Sequence, residues 1–339
     1  MTESRADHRN VPITVGETTV LPGRTSRFEL PFARLPTGSV ASLPVAVVNG
    51  RYAGPHIWLS AAIHGDEIAG VEIIRRVLRR IEARRLRGAV LAVPIVNVFG
   101  FLNESRYLPD RRDLNRSFPG STRGSLATRL ADLFMREVVS QCSVGIDLHT
   151  ATNHRVNLPQ IRADLDDPEA TALAEAFGAP FAIHARLRDG SLRQAATERG
   201  IRVLVYEAGE AHRFEERSIA AGVDGVLRVL AHLGMAEAET TATGPVHRVR
   251  RTSWVRARRG GIVNLDVELG QRVTGGEVIG SIADSFGVRP SRVKATGTGW
   301  VIARSLNPLV APGDALVHLA AEVGPDRDEP AERRRRRRG

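Results

Sequence analysis

The chain has 339 residues, and its 42% hydrophobic and 25% charged content is typical of a globular protein with a large and a smaller core. The formal net charge is +10, but a run of six arginines, Arg333–Arg338, supplies more than half of it. A like-charge block at a terminus is normally disordered, and no aromatic stacking residues accompany this one. We therefore predict a disordered Arg-rich tail over residues 322–339 and no specific nucleic-acid partner.

Export and membrane insertion are not indicated by the sequence. The first residues are polar and lack an apolar signal core. The longest apolar stretch, Ala89–Leu102, contains Pro94 and Asn97 and is shorter than the roughly 20 residues that a membrane helix needs. The single cysteine, Cys142, excludes an intrachain disulfide and fits a reducing compartment. We expect a cytoplasmic protein with no membrane partner, and the sequence leaves open whether it forms a homo-oligomer.

The predicted elements begin with a strand-rich segment, residues 1–40, that adds an edge to the main sheet. In residues 41–236 short β-rich runs alternate with amphipathic runs, which predicts an α/β fold with a mostly parallel sheet covered on both faces. The predicted strands are Ser42–Asn49, His56–Ile63, Ala89–Val96, Val144–Leu148 and Arg202–Glu207. The predicted helices are Glu67–Arg85, Ser125–Ser140, Pro168–Phe177, Leu192–Arg199 and Glu215–Leu233.

A second, smaller domain is predicted after a small, polar linker over residues 237–245. Residues 246–321 consist of short alternating runs broken by glycine, which indicates an all-β domain. A weak internal repeat within it resembles the barrel-sandwich fold of biotinyl and lipoyl domains. Carrier domains of that group present a modified lysine on a hairpin. The only lysine here, Lys294, lacks flanking methionines and an acidic turn. We therefore predict that this domain has a structural role or caps the neighbouring site.

Two short motifs at predicted strand ends contain the residue types of a catalytic zinc site. His64 and Glu67 lie between a predicted strand and a predicted helix, and His149 ends another strand. Ligands of open α/β sheets bind at such strand ends, and two histidines with one carboxylate leave the fourth tetrahedral position open for water. Asp147 would orient the imidazole of His149. In the alternative interpretation there is no metal site: His64 is a hydrogen-bonded turn residue, and Glu67 is an acidic residue in the first turn of the helix, where the helix dipole favours negative charge.

An arginine-rich loop lies between these two motifs. It contains Arg106, Arg112 and Arg116, and Asn115 precedes the last of them. A guanidinium binds a carboxylate through two parallel hydrogen bonds, and the asparagine amide can add a third. The alternative is a solvated charged loop, although Phe-Pro-Gly at 118–120 favours a shaped turn.

A final carboxylate, Glu207, ends the last predicted strand. Burying such a group is costly unless it is paired, close to a metal or protonated, so Glu207 is a natural candidate for a general base. Two alternatives remain open: Glu207 caps the following loop, or Glu210 is the functional carboxylate instead.

Taken in order, these motifs resemble those of the succinylglutamate desuccinylase and aspartoacylase family of the zinc carboxypeptidase superfamily. The likeness spans about residues 45–320 and rests on four motifs: His64-Gly-Asp-Glu67, Asp113-Leu-Asn115-Arg116 with Phe-Pro-Gly, Asp147-Leu-His149 and Glu207-Ala-Gly. It implies a zinc-carboxypeptidase-like mixed sheet flanked by helices. It also implies one Zn²⁺ per chain, bound by His64, Glu67 and His149.

The resemblance further implies roles for the matched polar residues. Glu207 would act first as general base and then as proton donor, and Asn115 and Arg116 would bind a carboxylate of the substrate. Arg106, in a Ser-Arg-Tyr step, would polarise the scissile carbonyl. The intervening loop differs from that of aspartoacylase, so Arg112 remains a rival for this last role.

The reaction that these residues predict is zinc-dependent hydrolysis of the amide bond of an N-acyl amino acid or a similar small carboxylate. A metallocarboxypeptidase or deglutamylase acting on peptide ends would share the same zinc site. A non-enzymatic alternative is a zinc-stabilised binding protein that uses its basic tail. The sequence does not identify the acyl group.

Overall fold

The computed structural model describes residues 8–152, 154–237 and 244–321. Within these residues the chain forms two compact units that divide between Val246 and His247. The predicted Arg-rich tail, residues 322–339, and residues 238–243 of the predicted linker lie outside the described residues.

The first unit contains the alternating strands and helices. Its strands are β1 (Ile13–Val15), β2 (Thr18–Val20), β3 (Arg24–Arg34), β4 (Val40–Asn49), β5 (Tyr52–Ala61), β6 (Arg87–Val93), β7 (Val144–Ala151), β8 (Arg155–Ala163), β9 (Phe181–His184) and β10 (Arg202–Glu210). Its helices are α1 (Ala69–Arg80), α2 (Val98–Leu102), α3 (Leu126–Glu137), α4 (Pro168–Phe177), α5 (Leu192–Thr197) and α6 (Glu216–His232).

The main sheet of this unit confirms the predicted α/β class. Its strand order is β8-β10-β7-β5-β6-β4-β3, and β9 pairs with β8. The central strands β10, β7, β5 and β6 are parallel, whereas β8, β4 and β3 join antiparallel. Pairing of β3 with β4 from Arg24 to Arg34 makes the first segment an edge of this sheet. Parallel central strands bring their carboxyl ends to one edge, which is where open α/β sheets bind their ligands.

Both faces of the sheet are covered. One apolar core lies between the sheet and α1, α4 and α6, and includes Ile74, Phe177 and Val226. The other lies beneath α3 and α5, and includes Trp58 and Phe134. No helix among the described residues is long and apolar enough to cross a membrane.

Helix α4 begins and ends where its sequence predicts, because local signals fix both ends. The Asp167 side chain accepts a hydrogen bond from the Glu169 amide, and Pro168 occupies the first helical position. Gly178 ends the helix with a left-handed φ of 76°.

Helix α1 is shorter than predicted. The segment before it is a turn closed by the Glu67 amide and the His64 carbonyl, so the helix begins at Ala69. It ends at Arg80, because Ile81 is already extended with φ −100° and ψ 134°. The prediction also omitted β8, β9 and α2 entirely.

The second unit is all-β. Its strands are β11 (His247–Val249), β12 (Thr252–Arg256), β13 (Gly261–Leu265), β14 (Arg272–Val273), β15 (Val278–Ala283), β16 (Ser291–Lys294), β17 (Gly299–Ser305), β18 (Leu309–Val310) and β19 (Ala315–Ala321). Strands β12-β19-β17 form one antiparallel group with β14, and β16-β15-β13-β18 form the other. Both groups contribute to one apolar core that includes Val255, Ile279 and Leu316. Lys294 is the exposed last residue of β16.

Candidate zinc-binding active site

Three predicted metal ligands converge at the carboxyl edge of the parallel strands. His64 and Glu67 lie in the turn after β5, and His149 lies near the end of β7. Glu67 bridges the two imidazoles, since its Oε1 is 2.8 Å from His64 Nδ1 and its Oε2 is 2.7 Å from His149 Nδ1. All three side chains are buried, and their ligand atoms lie within 4.8 Å of one another.

The turn that presents His64 depends on a close backbone contact. A Cβ atom on Gly65 would lie 1.9 Å from the Gly100 carbonyl carbon, so only glycine fits at this position. The Gly65 amide also donates to the Ser105 carbonyl at 3.0 Å. Just before the turn, Ala62 adopts a left-handed φ of 49°. The close contact between Gly65 and Gly100 explains the glycine of the His-Gly-Asp-Glu motif.

Hydrogen bonds orient His149 from inside the sheet. Its Nε2 lies 2.8 Å from Asp147 Oδ2, and the other Asp147 oxygen accepts from the Ser60 hydroxyl at 2.8 Å. The Trp58 indole donates to the same hydroxyl at 3.3 Å. Such outer partners fix the imidazole and leave Nδ1 directed at Glu67.

Two further contacts hold the other ligands. His64 Nε2 lies 3.3 Å from Asp113 Oδ1. The Thr150 amide donates to Glu67 Oε2 at 3.2 Å. Each of the three ligands therefore has a partner besides the other ligands.

Burial and charge act in opposite directions on these side chains. Burial by itself would lower the pKa of both imidazoles, but the carboxylates Glu67 and Asp113 around His64, and Asp147 and Glu67 around His149, raise it above the usual value. Burial favours a raised pKa for Glu67, yet the two histidines outweigh it and hold that pKa well below its usual range. Zinc binding requires neutral imidazoles, so it would be accompanied by proton release.

The donor set fits zinc. Two imidazole nitrogens and one carboxylate are the usual protein ligands of a catalytic zinc, and each is held by a partner group. A second cluster, Asp164, Asp166 and His184, also brings its ligand atoms together but is less buried. There the Leu165 amide lies 3.2 Å from His184 Nδ1, which engages one of the two ring nitrogens. The buried cluster is therefore the better zinc site.

Arg106 lies directly beside the ligands. Its Nε and Nη2 donate to Asp113 Oδ2 at 3.1 and 2.9 Å. This leaves Nη1 at 3.2 Å from His64 Nδ1 and 3.7 Å from Glu67 Oε1. Burial would raise the pKa of Asp113, but His64 and Arg106 hold it well below its usual range. The ionised Asp113 thus positions both an imidazole and a guanidinium.

The other predicted loop residues have different surroundings. Arg112 is exposed, and its Nε lies 3.6 Å from Asp110 Oδ2. Arg116 is also exposed, and its Nη1 donates to the Asn115 carbonyl. The Asn115 side-chain Oδ1 accepts from the Leu192 amide at 2.9 Å, which joins this turn to the start of α5.

Glu207 lies in register with His149 on the adjacent parallel strand. Directly paired residues project from the same face of the sheet, and adjacent strands lie about 4.8 Å apart, so the two side chains are neighbours. Asn157 Nδ2 donates to Glu207 Oε2 at 2.9 Å and fixes the carboxylate. The rival Glu210 is paired with Arg213, whose Nε lies 3.1 Å from Glu210 Oε2.

Sequence reasoning assigned no role to three of these residues. Ser60 is a polar residue inside an apolar strand, which is a usable signal. Asp113 belongs to a recognised motif, but its contacts with His64 and Arg106 depend on the path of the loop. Asn157 lies on β8, the strand that the prediction omitted.

Comparisons with known proteins identify the family of this chain. The sequence model of the succinylglutamate desuccinylase/aspartoacylase catalytic domain matches residues 53–233, more than half of the chain. The chain belongs to this family. The N-alpha-acetyl-L-2,4-diaminobutyric acid deacetylase of Halomonas elongata is 32% identical over 295 residues, which cover 83% of this chain and 86% of that protein. The succinylglutamate desuccinylase of Pseudomonas aeruginosa is 30% identical over 120 residues, 32% of this chain and 35% of that protein.

Solved structures of similar proteins share the fold. The product-bound ectoine utilization protein EutE (DoeB) of Ruegeria pomeroyi matches with a TM-score of 0.80 and 25% identity, over 93% of this chain and 100% of that one. A succinylglutamate desuccinylase/aspartoacylase of Rhodobacter sphaeroides matches with a TM-score of 0.78 and 28% identity, over 88% and 96% of the respective chains.

The partner of His149 provides the first prediction. We expect Asp147→Asn to weaken zinc binding about 10- to 100-fold, because the imidazole loses its carboxylate partner. Competition with a chromophoric chelator measures this affinity. Asp164→Asn, in the partly exposed second cluster, is the matched control and should leave the affinity unchanged. An affinity that falls only in the control would place zinc in the second cluster instead.

The close contact at Gly65 provides the second prediction. Gly65→Ala should destabilise the fold by about 1–3 kcal/mol, because the added methyl group overlaps the Gly100 backbone. It should also weaken zinc binding, since the turn carries His64. Urea unfolding and chelator competition measure the two effects. Gly297→Ala, where an added Cβ meets no atom within 4 Å, is the control. Equal stability of the two variants would contradict the packing argument.

Proposed function

We propose that this protein is a zinc-dependent amidohydrolase that removes the acyl group from an N-acyl amino acid. The observation that supports this most directly is the placement of Glu207 beside His149, one strand from the buried His64–Glu67–His149 cluster. A purely structural zinc site needs neither a neighbouring fixed carboxylate nor an arginine such as Arg106. Hydrolysis needs both.

Each part of the reaction has a candidate group. His64, Glu67 and His149 would hold the zinc, which when bound supplies Lewis-acid chemistry and lowers the pKa of water. Glu207 takes the proton of the water that attacks the acyl carbon. As the C–N bond breaks, Glu207 returns this proton to the nitrogen, so the products are a free amine and a carboxylic acid, which ionises to the carboxylate. Asn157 orients Glu207 by donating to its Oε2.

The remaining residues position the substrate. Arg106, held by Asp113, donates a hydrogen bond to the carbonyl oxygen as negative charge develops there. Asn115, through Nδ2, and Arg116 hold a substrate carboxylate, so that the amide is presented to Glu207 in a productive geometry.

The substrate class follows from the relatives. The Halomonas protein, which matches over most of both chains, is named as a deacetylase of an N-acetylated amino acid. The Pseudomonas proteins are named as desuccinylases. We therefore propose a small N-acyl amino acid as the substrate of this chain, in preference to a peptide end. A panel of N-acetyl and N-succinyl amino acids with carboxypeptidase peptides beside them tests this choice.

Removal of the proton acceptor provides the third prediction. Glu207→Gln should keep its zinc but lower kcat by about 100- to 10,000-fold, because the amide cannot accept a proton. Metal analysis and steady-state hydrolysis of N-acyl amino acids measure the two properties. Glu210→Gln is the matched control and should keep nearly full activity, because Glu210 is engaged with Arg213. Near-normal turnover by Glu207→Gln would rule out the assigned base.

The choice between the two arginines provides the fourth prediction. Arg106→Lys should lower kcat/KM about 100-fold or more, since lysine cannot contact Asp113 and the carbonyl oxygen together. Arg112→Lys should change it by less than about threefold, because Arg112 is exposed and paired with Asp110. A larger loss in Arg112→Lys would reverse the assignment.

A further inference from the structure

Strand β8 carries a buried amide group without a partner beside the catalytic carboxylate. Gln160 pairs directly with Glu207 across β8 and β10, so both side chains project from the same face of the sheet as His149. Gln160 is 0% exposed, yet neither its Nε2 nor its Oε1 has a hydrogen-bond partner. Buried side-chain amides are normally hydrogen-bonded, because an unpaired buried donor or acceptor loses its bonds to water without replacement.

Arg162 extends this group along the same face. It lies two residues from Gln160 on the strand, and its Nε is likewise buried without a hydrogen-bond partner. That nitrogen is 3.8 Å from Glu207 Oε1, which is beyond hydrogen-bond range. The guanidinium therefore lies near the carboxylate but retains a donor for another group.

Positive charge accumulates on this side of Glu207. The loop that carries Arg188 is fixed to the Arg116 turn, since the Gly190 carbonyl accepts from the Phe118 amide at 3.0 Å. Desolvation and then the like charges of Arg116 and Arg162 lower the pKa of Arg188, while Glu207 opposes the shift. Arg162, 3.8 Å from Glu207, and Arg188 thus add positive charge near this carboxylate, a local excess that a ligand with two negative charges would neutralise.

We propose that Gln160 and Arg162 form a second carboxylate-binding subsite, on the β8 side of Glu207, that selects substrates with a carboxylate beyond the one held by Asn115 and Arg116. The Nε2 group of Gln160 and the Nε group of Arg162 donate to this second carboxylate. The second carboxylate belongs to the amino-acid side chain or to the end of the acyl chain. This inference rests on the proposed amidohydrolase function.

The subsite and the catalytic groups act on different parts of the substrate. Zinc ligands, Glu207 and Arg106 act on any N-acyl amide, whereas Gln160 and Arg162 would contribute only when the substrate offers the second carboxylate. The measurement that isolates them is therefore a ratio between matched substrates. N-acetylglutamate and N-acetylglutamine differ in one side-chain charge, and N-succinylalanine and N-butyrylalanine differ in the charge at the end of the acyl chain.

The test compares these pairs in the zinc-loaded wild type and in Gln160→Met, Arg162→Met and Arg162→Lys. At least one pair should favour the dicarboxylate about 10- to 100-fold in kcat/KM, mainly through KM, as expected for charge-assisted hydrogen bonds. Each methionine variant should lower this preference about tenfold or more, and Arg162→Lys should restore part of it. Arg199→Met, on an exposed arginine outside the site, should keep the wild-type preference.

A binding measurement provides a second readout that does not depend on turnover. Titration calorimetry should show tighter binding of glutarate than of butyrate to the wild type, and the difference should disappear in Arg162→Met. Equal binding of the two acids by the wild type would overturn the subsite. So would methionine variants that are folded and keep the wild-type preference.

The two proposals fail in different ways. If the wild type hydrolyses N-acyl amino acids without preferring either dicarboxylate, the amidohydrolase function stands and the subsite is wrong. If no N-acyl amino acid is hydrolysed, the function itself fails, whatever the outcome of the glutarate titration.

Discussion

The site depends on a single carboxylate that joins two histidines. Glu67 contacts Nδ1 of His64 with one oxygen and Nδ1 of His149 with the other, although these residues are far apart in the sequence. Because all three are buried, their polar atoms cannot be satisfied by bulk water and must be satisfied by one another or by an ion. Asp113 and Asp147 contact the other ring nitrogen of His64 and His149, respectively, and so hold both imidazoles in place.

The sheet supplies the positions that this contact requires. The parallel pairing of β5, β7 and β10 brings their carboxyl ends together, which places His64, His149 and Glu207 at one edge. Antiparallel β8 then adds Asn157, Gln160 and Arg162 on the far side of Glu207. Glu207, the proposed general base, therefore lies between the proposed metal ligands and a polar, positively charged side. This arrangement is consistent with the proposed hydrolysis of small charged amides.

Much of this could be predicted from the sequence because the informative residues follow buried strands or carry local signals. Apolar runs located the central strands, and the caps of α4 located both of its ends. Strand β8 was omitted because Pro159 lies in the middle of the run, and a proline within a run counts against a strand. Polar residues of this strand face the site, so the omission hid Asn157, Gln160 and Arg162 together.

The choice between similar side chains could not be made from sequence spacing. The Ser-Arg-Tyr step favours Arg106 but leaves Arg112 as a rival, and only the path of the loop brings Arg106 to Asp113 and His64. Likewise, Glu210 differs from Glu207 mainly in its pairing with Arg213. Tertiary contacts of this kind depend on residues that are distant in the chain, which local patterns do not encode.

The central claim is that His64, Glu67 and His149 bind zinc as one site. Anomalous diffraction from zinc-loaded crystals, recorded on both sides of the zinc absorption edge, tests it most directly. We expect one strong anomalous peak within coordination distance of His64 Nδ1, His149 Nδ1 and the Glu67 carboxylate. A peak only at Asp164, Asp166 and His184, or no peak in protein saturated with zinc, would contradict it.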